Sequence, residues 1–240
     1  MPLRHFHYFC QALPLIIKTL ELFLNHSKQM LAMKRQFLPL LTSALMLIFF
    51  STASAQVRFG IKAGLNLANL SFVNFGELEP SLKMLPTYQV GALAEFGITE
   101  NLGVGVGLQL HGKGAKSDEA NDDSSIKLGY LQVPVMLQFR KSGFFAGVGP
   151  YAAFGIFGKS DSGGESEDIS FGSGVDDDFS PLDFGAGLEL GYEFANFRAT
   201  ASYNLGLANM LPKDQRPDGF DFAIKSNVIG IALAYLFGNE

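Results

Sequence analysis

From residue 57 onward, large apolar residues alternate with small or polar ones, in blocks separated by turn-forming stretches. Successive strand side chains point to opposite faces, so a period of two predicts β-strands. We place them at 57–68, 87–98, 102–112, 126–139, 144–157, 181–194, 197–206 and 225–237. Most have the roughly 9–11 residues a tilted strand needs to cross a bilayer, and some run longer. The two faces differ in size as well as polarity. Leu182, Phe184, Ala186, Leu188, Leu190, Tyr192 and Phe194 share one face, against Asp183, Gly185, Gly187, Glu189, Gly191 and Glu193. Leu102, Val104, Val106, Leu108 and Leu110 oppose Gly103, Gly105, Gly107, Gln109 and His111. Ile229, Ile231, Leu233, Tyr235 and Phe237 oppose Gly230, Ala232 and Ala234.

That asymmetry indicates which side each face meets. A soluble barrel fills its interior with bulky apolar groups and presents charged or β-branched residues to water. Here the second face is mostly Gly and Ala, a poor surface for water. A narrow membrane barrel reverses the arrangement, with bulky rows toward lipid and small or polar rows inside. Backbone groups in lipid all need internal partners, which closes the strands into a ring. The expectation is all-β: an eight-stranded antiparallel up-and-down transmembrane β-barrel, preceded by a helical signal peptide.

The connections alternate long and short. Residues 69–86, 113–125, 158–180 and 207–224 are long and polar. Thr99-Glu100-Asn101, Arg140 to Gly143 and Ala195-Asn196 are short. Outer-membrane barrels have short periplasmic turns and long external loops. Phe59, Phe96, Phe139, Phe144, Phe194, Phe197, Tyr235 and Phe237 fall near the proposed periplasmic ends, and Tyr88, Phe154, Phe184 and Tyr203 near the external ends. All lie on the bulky face, as two interfacial aromatic girdles would require.

The first 55 residues are of another kind. Residues 33–55 read MKRQFLPLLTSALMLIFFSTASA. Lys34 and Arg35 precede an apolar run of about 14 residues, Phe37 to Phe50, and Ala53-Ser54-Ala55 forms an A-x-A site ahead of Gln56. This is the order of a secretory signal peptide cleaved between Ala55 and Gln56. Residues 1–32 then read as an upstream extension, outside the natural protein, and 56–240 as the barrel domain. His5, His7 and Cys10 lack a fourth ligand and carry no metal-site expectation.

Composition sharpens this picture. Of 240 residues, 27 are Gly, all at or after Gly60, 23 are Phe and none is Trp. Gly in a helix costs about 1 kcal/mol relative to Ala, so the Gly-rich region is poor material for helices. Of 18 basic and 23 acidic residues, five and one precede Gln56. The remaining 13 and 22 give a formal charge of −9, which argues against nucleic acid as a partner. The one Cys, Cys10, falls in the extension, leaving the mature chain without disulfides or a thiol nucleophile.

Several segments resemble the outer-membrane β-barrel proteins of Bacteroidota of the porin-family or PorT-like type. Phe59-Gly60-Ile61-Lys62-Ala63-Gly64-Leu65-Asn66 is similar to that family's opening strand. Tyr130-Leu131-Gln132-Val133-Pro134-Val135-Met136-Leu137 resembles Y-L-E-I-P-L-L-L, with Gln132 in place of Glu. Gly149-Pro150-Tyr151 resembles its G-P-Y, and Ser202-Tyr203-Asn204-Leu205-Gly206-Leu207 resembles R-Y-N-x-G-L with Ser202 in place of Arg. Both departures remove a charge, so no family-wide lumen salt bridge is carried over. The resemblance implies a Gram-negative envelope protein and brings no catalytic site. Pro134 and Pro150 each lack a ladder donor, which predicts a local bulge on two neighbouring strands.

The small face carries Arg58, Lys62, Glu95, Glu189, Glu193 and Arg198, with Glu193 across a tight turn from Arg198. One reading is a polar conduit or proton-active pair; the other is a set of structural ion pairs that plug the barrel. Eight strands enclose little more than their own side chains, which favours the plug. His111 has no serine or carboxylate placed beside it by a motif, so no hydrolase triad, and no enzyme, is expected. Gly103-Val104-Gly105-Val106-Gly107 is followed by no helix and reads as lumen packing, not a phosphate loop. No cofactor is expected. The acidic segment with Asp161, Glu165, Glu167, Asp168, Asp176, Asp177 and Asp178 reads as a solvated loop or a calcium site, without fixed ligand spacing.

The functional expectation is an outer-membrane barrel, surrounded by lipid, with a structural role or one carried by envelope partners at its long loops. The alternatives are a component of an envelope secretion machine, a small membrane-barrel enzyme, and a soluble periplasmic barrel for an apolar ligand.

Overall fold

The computed structural model describes residues 57–74, 82–118, 124–216 and 222–237. The extension, the signal segment and its cleavage residues Ala53, Ala55 and Gln56 lie outside these residues. Ten strands follow in chain order: β1 (Val57–Val73), β2 (Leu82–Lys83), β3 (Leu85–Gly97), β4 (Leu102–Ser117), β5 (Ser125–Lys141), β6 (Phe144–Ser162), β7 (Glu165–Asp168), β8 (Leu182–Phe194), β9 (Phe197–Gly206) and β10 (Ala223–Phe237). The eight long strands pair antiparallel in the order β4-β3-β1-β10-β9-β8-β6-β5, and β5 pairs back onto β4. The ring is closed. β2 pairs with the outer end of β4, and β7 folds back on β6.

The rows face as the alternation requires. Ile231 is 62% exposed and Leu188 45%, and Val106 lies half-buried on the same outward surface. Glu95, by contrast, is fully buried inside the ring. With the bulky rows outward and charge inside, the soluble ligand-binding barrel is ruled out. At the short-turn end, Phe194 stacks on Phe197 at 5.9 Å, Phe197 meets Tyr235 edge-on at 5.2 Å, and Tyr235 meets Phe237 at 5.0 Å. These contacts form a continuous aromatic row along the rim of β8, β9 and β10.

The strands outrun the ranges read from the sequence, chiefly at the external end. β1 continues to Val73, β4 to Ser117 and β6 to Ser162, so parts of the expected loops 69–86, 113–125 and 158–180 are sheet. Alternation persists there, but on β1 its sense reverses: Leu70 and Phe72 point inward and Asn69 and Ser71 lie between them, so bulky-outward rows no longer mark the strand. β5 likewise runs to Lys141, leaving Ser142-Gly143 as the turn, both with positive φ.

The prolines do not make the expected bulge. Val106 pairs with Val135 and Gln109 with Gln132, in one register on either side of Pro134. Pro134 with Tyr151 and Leu137 with Val148 likewise keep one register across Pro150. The ladder lapses where a donor is missing, without an inserted residue. The register shift lies farther out, between Gly129 and Tyr130, where β6 contributes the extra residue Ile156.

The external mouth is filled by apolar side chains. Leu70, Ala115, Leu128, Tyr130, Tyr151 and Ala153 of the wall pack with Phe179 and Met210 from the loops, flanked by Ile169 and Phe171. Glycines on β6 admit these loop residues. A Cβ on Gly155 would lie 2.5 Å from the Phe171 ring, and one on Gly158 would lie 2.9 Å from the Ile169 Cβ. Backbone bonds tie the loops together, Ser180 N to Met210 O at 2.8 Å and Asp214 N to Ser173 O at 3.0 Å.

Candidate functional site

Among the described residues, buried charge is concentrated in the lumen, where it is arranged in tiers. Alternation on β1, β3, β8 and β9 turns Arg58, Glu95, Glu193 and Arg198 inward at the short-turn end. Arg198 donates from Nη1 and Nη2 to the two oxygens of Glu95, at 2.5 and 2.8 Å. Arg58 Nη2 reaches Glu95 Oε2 at 2.9 Å, Arg140 Nη1 the same oxygen at 3.0 Å, and Gln138 Nε2 reaches Oε1 at 2.9 Å. Glu193, paired in register with Arg198 across the turn, accepts from Arg198 Nε at 2.8 Å and from Arg58 at 3.1 and 3.2 Å. The Arg198 guanidinium also lies 3.9 Å from the centroid of the buried Phe145 ring. Three guanidiniums and two carboxylates thus form one knot. Charges taken this far from water need such complete pairing.

Above it, Lys62 Nζ donates to Glu189 Oε1 at 2.5 Å. This pair borders a cavity of ≈ 30 Å³, which Gln109, Met136, Gln138 and Arg198 also line. Amides fill the next level. Gln89 Nε2 donates to Asn66 Oδ1 at 2.8 Å, and Gln132 Nε2 to Asn204 Oδ1 at 3.4 Å. Gln132, standing where the resemblance has Glu, therefore meets an amide. His111 is fully buried, with Nε2 3.4 Å from Asn66 Nδ2.

The outermost polar tier is Lys113 with Asp183, an ion pair in which neither side chain is accessible. Asp183 Oδ2 also accepts from Tyr151 Oη at 3.2 Å and Ser226 Oγ at 3.0 Å. The Lys113 ammonium lies 5.0 Å from the Tyr130 ring centroid and 4.7 Å from that of Tyr151. Tyr130 Oη donates to Ser180 O at 3.2 Å, which links this tier to the plug.

All six lumen residues singled out in the sequence stand inside, Arg58, Glu95, Glu193 and Arg198 in one cluster and Lys62 with Glu189 in another. The lumen set named from the sequence lacks Arg140, Gln138, Lys113 and Asp183, although Asp183 stands on the small face there. With strands ending at residues 139 and 112, the alternation puts Arg140 in a turn and Lys113 in a loop. The signal for Lys113 was the odd-numbered row Gln109, His111, Lys113, Ala115, which continues inward past the apolar part of β4.

The acidic side chains of the third loop are dispersed. Asp161 pairs with Lys127 at 2.7 Å and Asp168 with Lys159 at 3.7 Å. Asp177 accepts from Gly174 N at 2.8 Å, and Asp178 from Ser170 Oγ at 2.8 Å. The hydrogen bond from Lys127, followed by one from Ser166, holds the Asp161 carboxyl below the usual aspartate range. Among the described residues, no three His, Cys, Asp or Glu side chains are grouped to hold a metal ion.

A closed eight-stranded ring with apolar rows outward and paired charge inside defines a transmembrane β-barrel. Residues 50–211, more than half of the chain, match the family described as outer membrane protein beta-barrel domain. The chain belongs to that family, and its place is the outer membrane. Similar solved structures are found at low identity. Ail, the attachment invasion locus protein of Yersinia pestis, is 15% identical over 76% of this chain and 99% of its own, with a TM-score of 0.41. Neisserial surface protein A is 12% identical over 77% and 99%, with a TM-score of 0.43. OprG from Pseudomonas aeruginosa is 13% identical over 76% and 96%, with a TM-score of 0.39. No curated protein matches the chain.

Proposed function

We propose that this outer-membrane barrel is a closed scaffold, structural or interacting through its external loops, and that its lumen passes no general solute. One observation carries the reading. From the arginine–glutamate knot through the amides to Lys113–Asp183 and the apolar plug, each level of the interior is occupied by bonded side chains. The cavity of ≈ 30 Å³ holds a water or two, no more. The reading extends to a protein that is not an enzyme. What supports that extension is His111, walled in beside an amide with no nucleophile against it.

Reconstitution of the full chain into planar bilayers tests the closed lumen. The expected record is flat, and reproducible conductance steps from the folded protein would overturn the reading. A second reading, a part of an envelope secretion machine, draws on the PorT-like segments such as Tyr130 to Leu137. Crosslinking from the segments after β6 and β9 in whole envelopes separates the two. Recurrent capture of secretion components favours the machine.

A further inference from the structure

Two prolines interrupt the wall on both sides of β5 at one height. The exchanged pairs of an antiparallel ladder recur at every second residue. Arg140 N donates to Asn101 O at 2.8 Å, and Ser117 N donates to Ser124 O at 2.8 Å. One register joins β4 to β5 between these bonds, so the odd-numbered residues of β4 turn their backbone groups to β5. Gly107 is one of them, and its counterpart in that register is Pro134. Pro134 has no N–H, so the Gly107 carbonyl loses its ladder donor. The even-numbered residues of β5 thus turn to β4 and the odd-numbered ones to β6. By the same count Val135 O faces Pro150 and loses its donor as well.

The two interruptions differ in what lies behind them. Between β5 and β6 the backbones are close: a Cβ on Gly149 would stand 2.0 Å from Val135 O. Between β4 and β5 the wall borders the ≈ 30 Å³ cavity, which Gly107 and Pro134 line together with Lys62, Gln109, Gln138 and Glu189. A second acceptor stands there. Gln138 Nε2 donates to Glu95 Oε1 at 2.9 Å, and a carboxylate only accepts, which fixes the orientation of the amide. Its Oε1 is buried without a hydrogen-bond partner among the described residues. Lys62 Nζ carries three protons and gives one to Glu189. The cavity therefore gathers two acceptors in need of a proton and an ammonium with protons to share.

A water molecule matches that set. It has one proton for Gly107 O, one for Gln138 Oε1, and lone pairs that accept from Lys62. We propose that the cavity is a binding site for one or two ordered waters, which donate to Gly107 O in place of the N–H that Pro134 lacks. Backbone groups in a membrane wall need an internal partner, and a buried water, which makes about three hydrogen bonds, supplies one. An acyl chain on the outer side of the wall has no proton to give. The water here does more than fill space: it stands in for a rung of the ladder between β4 and β5.

The test uses the full chain in lipid nanodiscs and NMR cross-relaxation from water to slowly exchanging protons. The parent protein is expected to show water cross-peaks at the Gly107 amide and at the Gln138 side-chain amide, and none at the Gly149 amide. Pro134→Val restores the missing donor. It is expected to weaken the Gly107 cross-peak about fivefold or more, and to add a through-hydrogen-bond coupling from the amide at position 134 to the Gly107 carbonyl. Absence of both cross-peaks from the parent protein overturns the site. An undiminished Gly107 cross-peak beside the new coupling overturns the water's part in the ladder. Equal cross-peaks at Gly149 mark a generally wet lumen and overturn a discrete site. Should Pro134→Val not fold, Pro134→Ala supplies the same donor with less bulk, and the parent spectrum by itself still decides whether water is bound.

Discussion

Lys113 and Asp183 are 70 positions apart in sequence and form an ion pair that no solvent reaches. Each comes from the small-residue row of its strand, and each would be a buried unpaired charge without the other. Breaking such a pair from one side costs about 3–5 kcal/mol, whereas replacing both partners by apolar groups is often neutral. Lys113→Met is therefore expected to destabilise the barrel by about 3–5 kcal/mol. Adding Asp183→Leu is expected to recover most of that loss. Urea unfolding in lipid vesicles, followed by the electrophoretic shift of the folded form, measures both.

Glu95 and Glu189 offer a contrast. Glu95 accepts from three arginines and a glutamine and is fully buried. Glu95→Gln leaves three guanidiniums to the one carboxylate of Glu193 and is expected to cost about 3–5 kcal/mol. Glu189 has one lysine partner and borders the ≈ 30 Å³ cavity, where water can take up the strain. Glu189→Gln is expected to cost less than half as much. The same unfolding assay ranks the two, and equal costs would contradict the tiered account.

The external plug rests on loop side chains. Met210→Ala and Phe179→Ala each remove a buried group from the cluster and are expected to cost about 2–5 kcal/mol locally. Because the loss falls on the mouth, the visible effect is protease cleavage between Gly163 and Pro181 at lower protease concentration. The membrane-protected core fragment should persist.

Ala195 holds a positive φ of 50° in the Ala195-Asn196 turn. Such a conformation suits Asn or Gly and strains Ala. Ala195→Asn is expected to raise stability by about 0.5–1 kcal/mol, read as a shifted urea midpoint with unchanged slope.

The Lys127–Asp161 pair has a defined pH signature. Its carboxyl is held low in the folded chain, so its contribution is present above the ordinary aspartate value and fades as pH falls through the lowered one. In Lys127→Gln the Asp161 titration is expected to move back up. A carboxyl-selective NMR titration of both proteins checks it.

The membrane-embedded part of this fold was legible because lipid imposes one rule on it. Leu188, Ile231 and the aromatic rows had to be large and apolar, and Gly185 and Gly187 opposite them small, so the period of two stands out. Beyond the bilayer that constraint lapses. Lys113 and Lys116 differ in face though not in polarity, and only register separates them. The knot around Glu95 was partly legible: five positions separate Glu193 from Arg198 across a two-residue turn. Arg140 joins from β5 one step past Gln138 on the inward row, beyond the residue where falling hydrophobicity ends the strand.

The extra residue on β6 decides more than a local kink. With Ile156 set aside, Gly155 and Gly158 stay under the Phe171 and Ile169 side chains, and Lys159 looks out. Threaded without that slip, the same residues would change phase: Gly158 would turn toward the membrane and the Lys159 ammonium would enter the plug. A single unit of counting therefore keeps the inside of the mouth greasy and leaves Lys159, with its Asp168 partner, on the outer skin. Losing Ile156 would preserve that division, whereas inserting one ladder-forming residue beside it would exchange the two surfaces.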